Sequence, residues 1–255
     1  MTKKSYAKVN IFLKISGKRD GFHELVSRFV RVHSLFDTIS FKIANCNEFT
    51  LVGNFGCDTN KNTIFKAYQI LSKKYSCVKD YFQKHKVIVD KVIPEFAGLG
   101  GGSSNCATFI IMVNEVCNLN LSKDKLSKIG AQIGADIPFF IYEYDSANVT
   151  GIGEIVKKYD EPILNIEIIT PKIKCDTGDI FKEFRDNFYT EIIKEESKEL
   201  LNMNSLDIVK KLSINEANDL YLPAKKCNNN LQNYAKKDWF FSGSGSSFFK
   251  LSKVN

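Results

Sequence analysis

Four of the 15 glycines of this 255-residue chain fall within five positions, in the run Pro94-Glu95-Phe96-Ala97-Gly98-Leu99-Gly100-Gly101-Gly102-Ser103-Ser104. A strand-like segment precedes the run and an apolar helical pattern follows it. That order presents backbone N–H groups and a helix N-terminus to phosphate oxygens. Two familiar phosphate loops fail letter by letter. A dinucleotide fingerprint counted from Gly98 needs a sixth-position glycine and meets Ser103. A P-loop needs a lysine before its Ser/Thr, and no lysine occurs between Lys91 and Lys123. A mere packing turn is a poor alternative, because an interior glycine that needs no special angle costs about 0.5–1 kcal/mol against alanine. Phosphate binding without a loop lysine is the chemistry expected.

Other residues with chemical potential are scattered. Lys8 and Asn10 share one face of an alternating strand, about 7 Å apart along it, so one face offers an ammonium and an amide. Asp136 lies in Gly134-Ala135-Asp136-Ile137-Pro138-Phe139; by itself it reads as a turn-forming residue. Taken singly, His23 is an ordinary satisfied histidine, and Phe22 and Phe181 are core aromatics. A second small-residue loop, Ser242-Gly243-Ser244-Gly245-Ser246, lies near the C-terminal end of the chain.

These groups need a scaffold. Tyr6–Ile15 alternates as a half-buried strand, with Ala7, Val9, Ile11, Leu13 and Ile15 on one face and Lys8, Asn10, Phe12 and Lys14 on the other. A turn is expected over 16–21 and a β-rich run over 29–41. Residues 44–62 read as loop with a short strand, and 63–74 as a helix through Ile64, Ala67, Tyr68 and Leu71. A strand over 85–93 is stopped by Pro94. Ser122 is a plausible cap for a helix through Ile133, ended by Gly134. In the second half a strand is expected over 163–169, a pair of charged helices over 180–212, a helical region over 215–235, and strand–loop–strand over 238–251. Two α+β halves joined near 150–160 follow.

Composition excludes several classes. Apolar residues are 44% and charged residues 25%, which is ordinary globular usage. No apolar run approaches a bilayer span, and Lys8 and Lys14 interrupt the N-terminal apolar stretch, so neither a membrane segment nor a signal peptide is expected and a cytoplasmic location is. Seven cysteines without a C-x-x-C pair point to reduced, mostly structural thiols, and His23, His33 and His85 are too scattered for a metal cluster. Net charge is +7, but only Arg19, Arg28, Arg31 and Arg185 are arginine. A lysine-dominated excess suits an anionic small substrate better than base-reading nucleic-acid binding.

Gly98 to Ser104, with Pro94 at its head, resembles the P-x-x-x-G-L-G-x-S-S signature of the GHMP kinase superfamily, whose nucleotide loop has no Walker lysine. Ala7-Lys8-Val9-Asn10, Gly21-Phe22-His23-Glu24-Leu25, the Gly134–Phe139 motif and Gly243-Ser244-Gly245 are similar, in order and spacing, to the branch of that superfamily acting on a CDP-linked methylerythritol. Three positions depart from its pattern: Phe22 stands for the usual Tyr, Ser246 for Ala or Pro, and Tyr6 for Pro. The resemblance implies an α+β, two-domain GHMP-kinase-like fold. An N-terminal half like the second domain of ribosomal protein S5 (residues 1–155, ATP-binding) would be followed by a C-terminal GHMP kinase half (156–255), with the active site in the cleft between them. It implies transfer of the ATP γ-phosphoryl to the 2-hydroxyl of the CDP-alcohol, on the route to isoprenoid precursors. Asp136 would be the base and Lys8 its companion. Pro94, Glu95, Phe96, Ala97, Gly98, Leu99, Gly100, Gly101, Gly102, Ser103 and Ser104 would bind ATP. Asn10, Phe22, His23, Thr177, Phe181, Gly243, Ser244 and Gly245 would bind the substrate, with His23 reading the cytosine edge between the two phenylalanine rings. Mg²⁺ is expected with ATP, without assignable protein ligands. No nucleic-acid or membrane partner is expected, and the oligomeric state is left open.

Overall fold

The computed structural model describes residues 1–253. Its strands are β1 (Thr2–Arg19), β2 (Phe22–Ile43), β3 (Leu51–Val52), β4 (His85–Asp90), β5 (Ser146–Gly151), β6 (Ile155–Lys158), β7 (Leu164–Ile169), β8 (Phe240–Phe241) and β9 (Phe248–Lys253). Its α-helices are α1 (Thr63–Lys74), α2 (Ser76–Phe82), α3 (Gly101–Val116), α4 (Lys123–Ala131), α5 (Ile137–Tyr142), α6 (Thr177–Glu183), α7 (Lys194–Asn202), α8 (Ser205–Lys211), α9 (Ile214–Ala217) and α10 (Tyr221–Cys227). The fold is α+β, and no described helix is long and apolar enough to cross a membrane.

Two compact units emerge. The first comprises Met1–Ala7, Leu35–Ile93 and Gly100–Glu143. Here the C-terminal part of β2 pairs antiparallel with β4, Thr38 facing Asp90 and Ile43 facing His85, and β3 runs parallel to β4. Helices α3 and α5 pack together, as do α4 and α5. Phe41 meets Phe82 and Phe109 edge-to-face in its core, and those two rings stack on each other, with centroids 5.1–5.7 Å apart. α1 runs over the residues its periodicity predicts and is capped by Asn62, whose side chain accepts from the Ile64 N–H. Ser122 caps α4 in the same way, through the Lys125 N–H.

The second unit comprises Lys8–Ser34, Pro94–Leu99 and the chain from Tyr144 onward. The N-terminal part of β2 pairs antiparallel with β5, Leu25 facing Gly151 and Val30 facing Ser146. β5 turns back into β6, so residues 150–160, where sequence places a joint, form a β-hairpin. A second sheet has the order β7-β9-β8.

Sequence and structure part at several places. β1 and β2 are 18 and 22 residues long, and only Asp20 and Gly21 separate them. The turn expected over 16–21 is therefore mostly strand, because Ser16 and Gly17 are carried in the ladder. Nor is β1 half-buried: Ala7 to Leu13 is buried on both faces, Lys8 and Asn10 included. α2 was not foreseen, its seven residues being too short for a readable period. The pair of charged helices over 180–212 is three α-helices plus a π-helical turn over Phe184–Phe188. All seven cysteines are free, but only Cys106 and Cys175 are buried, and Cys57, Cys77 and Cys227 are exposed.

The second unit depends on one buried cation. Arg28 on β2 is fully buried and donates to Asn148 Oδ1 at 2.6 Å and to the carbonyls of Leu200, Leu201 and Met203 at 3.0–3.4 Å. Glu161 lies 3.8 Å from it, and its guanidinium carbon sits 3.3 Å from the centroid of the Tyr159 ring. Burial draws its pKa down from the ordinary arginine value, and the Glu161 charge opposes that. Arg28→Met takes the guanidinium donor from the Leu200 and Met203 carbonyls and leaves Glu161 buried without its counter-charge, so stability should fall by about 3–5 kcal/mol. A thermal scan within about 2 °C of the wild type would contradict this reading of the network.

Candidate active site

β1 carries Lys8 and Asn10 into the interior of the second unit. Lys8 is 3% and Asn10 1% exposed, and the Lys8 ammonium donates to Asn10 Oδ1 at 2.6 Å. The same ammonium stands 4.6 Å from the centroid of the Phe29 ring, an arrangement that favours the charge. The backbone N–H of Lys8 donates to the Leu99 carbonyl at 3.0 Å, tying β1 to the first half of the glycine run.

That half-loop meets the second glycine loop backbone to backbone. Ser242 Oγ donates to the Gly98 carbonyl at 2.9 Å, and the Ser247 N–H donates to the Ala97 carbonyl at 3.1 Å. Gly98 has φ +71°, and a Cβ there would stand 2.0 Å from the Ser242 carbonyl oxygen. Only glycine fits. A Cβ on Gly243 would lie 3.2 Å from the Gly98 carbonyl and 3.4 Å from Asn10 Oδ1, so Gly98, Gly243 and Asn10 converge. Asn218, 1% exposed, holds this loop by donating both amide protons, to the Phe241 and Gly243 carbonyls at 2.9 Å each. Ser244 Oγ lies 2.8 Å from Thr177 Oγ1 at the start of α6, where Asp176 caps the helix. Pro94, Glu95 and Phe96 are exposed on the approach to the loop, and Lys174 Nζ is 5.9 Å from the Phe96 ring centroid.

One turn further along α6, Phe181 stacks on His23 with centroids 5.3 Å apart, and Phe184 meets the same imidazole edge-on at 5.6 Å. His23 is not the satisfied histidine it resembles alone: its Nε2 is buried and has no hydrogen-bond partner among the described residues. Burial lowers its pKa, and the Lys18 and Arg185 charges lower it further. Phe22 is 62% exposed, which excludes a core role for that ring, while Phe181 is half-buried.

The rest of the glycine run belongs to the first unit. Gly100, left-handed at φ +69°, is the N-cap of α3, and Gly101 to Ser104 form its first turn. Ser104 is buried and bonded to Ser5 Oγ at 2.8 Å, whereas Ser103 is half-exposed. A Cβ on Gly134 would lie 3.9 Å from Ser103 Oγ, which sets the Gly134–Asp136 turn beside the start of α3. Asp136 is half-exposed at the N-cap of α5, and its carboxylate makes no capping bond. Asp136 lies in the turn that leads into α5, closed by the Ile137 N–H donating to the Gly134 carbonyl at 3.2 Å. A lysine also stands here that motif reading missed. Lys91 Nζ would be 3.4 Å from a Cβ on Gly101, and it is paired with buried Asp37, which also accepts from the N–H groups of Val92 and Ile93 at 2.6 and 2.8 Å. Its sequence signal was position: it is the residue immediately after β4, in the connection that leads to the loop.

A pH dependence follows from His23. Its depressed pKa means that below the unfolded value of about 6.5 the unfolded chain takes up a proton the folded one resists. Stability contributed by neutral His23 is therefore lost as pH falls through that range. The melting temperature of His23→Phe should gain on wild type as pH drops from 8 to 5, and a gap independent of pH would refute the assignment.

Comparison with known proteins gives a consistent result. Residues 62–144 match the family model described as GHMP kinases N terminal domain. The chain is 48% identical over 254 residues to the 4-diphosphocytidyl-2-C-methyl-D-erythritol kinase of Sulfurimonas denitrificans, covering 97% of this chain and 96% of that one. It is 43% identical over 248 residues to the kinase of the same name from a Sulfurovum species, covering 97% of each. Among solved structures it is similar to a 4-(cytidine 5'-diphospho)-2C-methyl-D-erythritol kinase, with TM-score 0.75 and 24% identity over 99% of this chain and 90% of that one.

Proposed function

The chain belongs to the 4-diphosphocytidyl-2-C-methyl-D-erythritol kinases of the GHMP family, and from that premise we propose how its residues move a γ-phosphoryl from ATP to the 2-hydroxyl of the CDP-linked alcohol. The product would enter the methylerythritol phosphate route to isoprenoid precursors. Such a transfer needs positioning and charge stabilisation more than covalent chemistry. The phosphates of ATP lie along the backbone of Pro94 to Ser104, with the N-terminus of α3 and the Lys91 ammonium favouring their charge.

Asp136 takes the proton of the attacking hydroxyl. A carboxylate at the N-cap of α5, beside the start of α3, is suited to that. Lys8 holds the acceptor oxygen and the charge that develops on it, and Asn10 and the Gly243-Ser244-Gly245 loop orient the alcohol, with Thr177 at its diphosphate. Mg²⁺, if carried in as the chelate of ATP, would supply neutralisation of phosphate charge. Along the chain, residues 1–155 supply the ATP loop and the base, and 156–255 supply Thr177, Phe181 and the second glycine loop.

One observation carries the choice of substrate: the buried, unpartnered Nε2 of His23, stacked on Phe181 and adjoined by exposed Phe22. Neutral imidazole can exchange a hydrogen bond with a cytosine edge, and an aromatic ring gives a pyrimidine a stacking face worth roughly 1–3 kcal/mol. The ionisable neighbours Lys18 and Arg185 suit an attached diphosphate. Mevalonate, homoserine or a hexose offers nothing for this pocket.

The experiment is coupled ADP release with the CDP-alcohol, mevalonate, homoserine and galactose. Turnover should be confined to the CDP-alcohol, and Asp136→Asn should lower kcat by roughly 10²–10⁴ with both substrate affinities nearly unchanged. Comparable turnover on mevalonate or homoserine would overturn the substrate, and near-normal kcat in Asp136→Asn would overturn the base.

A further inference from the structure

The Lys8–Asn10 pair does not end at Asn10. Asn10 Nδ2 donates to Ser27 Oγ at 3.0 Å, and Ser27 Oγ donates in turn to the backbone carbonyl of Phe12. Every member is buried: Lys8 3%, Asn10 1% and Ser27 0% exposed. Ser27 and Phe29 lie two residues apart on one face of β2, and Lys8, Asn10 and Phe12 alternate on one face of β1. The result is a ladder of buried polar groups between two strands.

The direction of this ladder is fixed at both ends by chemistry. An ammonium only donates, so the Asn10 atom facing Lys8 must be the carbonyl oxygen. A peptide carbonyl only accepts, so the single proton of Ser27 is committed to Phe12. The Ser27 oxygen can then only receive, and the Asn10 atom facing it must be the amide nitrogen. The two requirements agree, and neither is met if the amide turns over. Reversal would set an –NH₂ against an ammonium and a carbonyl against a hydroxyl oxygen with no proton to offer. In a buried network such a mismatch is costly.

We infer that Ser27 is a positioning residue for phosphoryl transfer: it locks the Asn10 amide in the one orientation that holds the Lys8 ammonium in place. Ser27 touches no substrate; it acts through Asn10 and Lys8. The inference rests on the assignment of Lys8 to the reaction, and it names a group outside the five motifs that carry the family resemblance. With Ser27→Ala the Asn10 amide keeps its bond to Lys8 but loses the acceptor that anchors its other end, so amide and ammonium can shift together. A shift of about 1 Å in a group that meets the reacting atoms suffices for losses of up to about a hundredfold.

A double-mutant cycle on the intact enzyme decides the matter, with kcat, both KM values and the melting temperature measured for wild type, Ser27→Ala, Lys8→Ala and the double variant. Ser27→Ala should lower kcat by roughly tenfold with KM for ATP within about twofold of wild type. On the Lys8→Ala background the same substitution should change kcat by less than about twofold, since groups acting as a unit are not additive. Ser27→Thr, which keeps the hydroxyl, should restore most of the rate. Ser27→Cys matches the serine in shape but bonds weakly, so it should behave like Ser27→Ala if the alanine variant folds poorly. A wild-type rate in Ser27→Ala, an undiminished loss on the Lys8→Ala background, or a loss that tracks melting temperature through all the Ser27 variants would overturn the inference. If Lys8→Ala itself turns over normally, the fault lies instead with the parent assignment of Lys8.

Discussion

Two stretches of backbone occupy space that a single side-chain carbon would close. At Gly98 the chain runs so near the Ser242 carbonyl that a Cβ would stand 2.0 Å from it, and Gly243 approaches Gly98 and Asn10 from the other side. Around that contact the main chain is stitched at three points: Leu99 to Lys8, Ala97 to Ser247 and Gly98 to the Ser242 hydroxyl. Segments far apart in sequence are thereby brought into one piece of backbone, and Lys8 and Asn10 ride on it. Phosphate recognition through main-chain N–H groups requires such rigidity, because a peptide group has no rotamer with which to correct its aim.

Each unit also buries polar groups among its apolar side chains. Lys8, Asn10, Ser27, Arg28 and Asp37 are all buried, and each is held by partners that the chain itself supplies. Burying such groups is unfavourable unless each is satisfied, and a satisfied network resists rearrangement. Arg28 secures the connection between α7 and α8, Asp37 fixes the exit of β4, and Ser27 sets an amide. Apolar packing makes the units compact; the polar ladders decide where individual protons point.

Much of this was legible in the sequence, for identifiable reasons. The bounds of α1, the Ser122 cap and the strand–loop–strand at the C-terminal end follow from periodicity and local capping chemistry, which depend on near neighbours only. The candidate site was legible as motifs because glycines in unusual density are expensive and therefore informative. What failed was anything set by distant packing. Ser16 and Gly17 read as a turn because residue propensity carries no knowledge of the partner strand that keeps β1 extended. The alternation of β1 suggested one wet face, whereas both faces are covered. The stacking of His23 on Phe181, 158 residues later, has no local signature, and Phe22 read as core although it is exposed. Lys91 lay outside the loop motif, yet the chain leaving β4 carries it to the start of α3.

The claim that the two glycine loops form one structural piece is tested most directly at Gly98. Alanine there must adopt a left-handed φ, at roughly 1–2 kcal/mol, and must also push the Ser242 carbonyl away. Calorimetric titration of Gly98→Ala with ATP and, separately, with the CDP-alcohol measures how far the disturbance spreads. Both affinities should fall, each by roughly tenfold or more, because displacing Ser242 moves Gly243 away from Asn10. Loss of ATP affinity with the CDP-alcohol bound as tightly as by the wild type would show that the loops act independently, and would contradict the account.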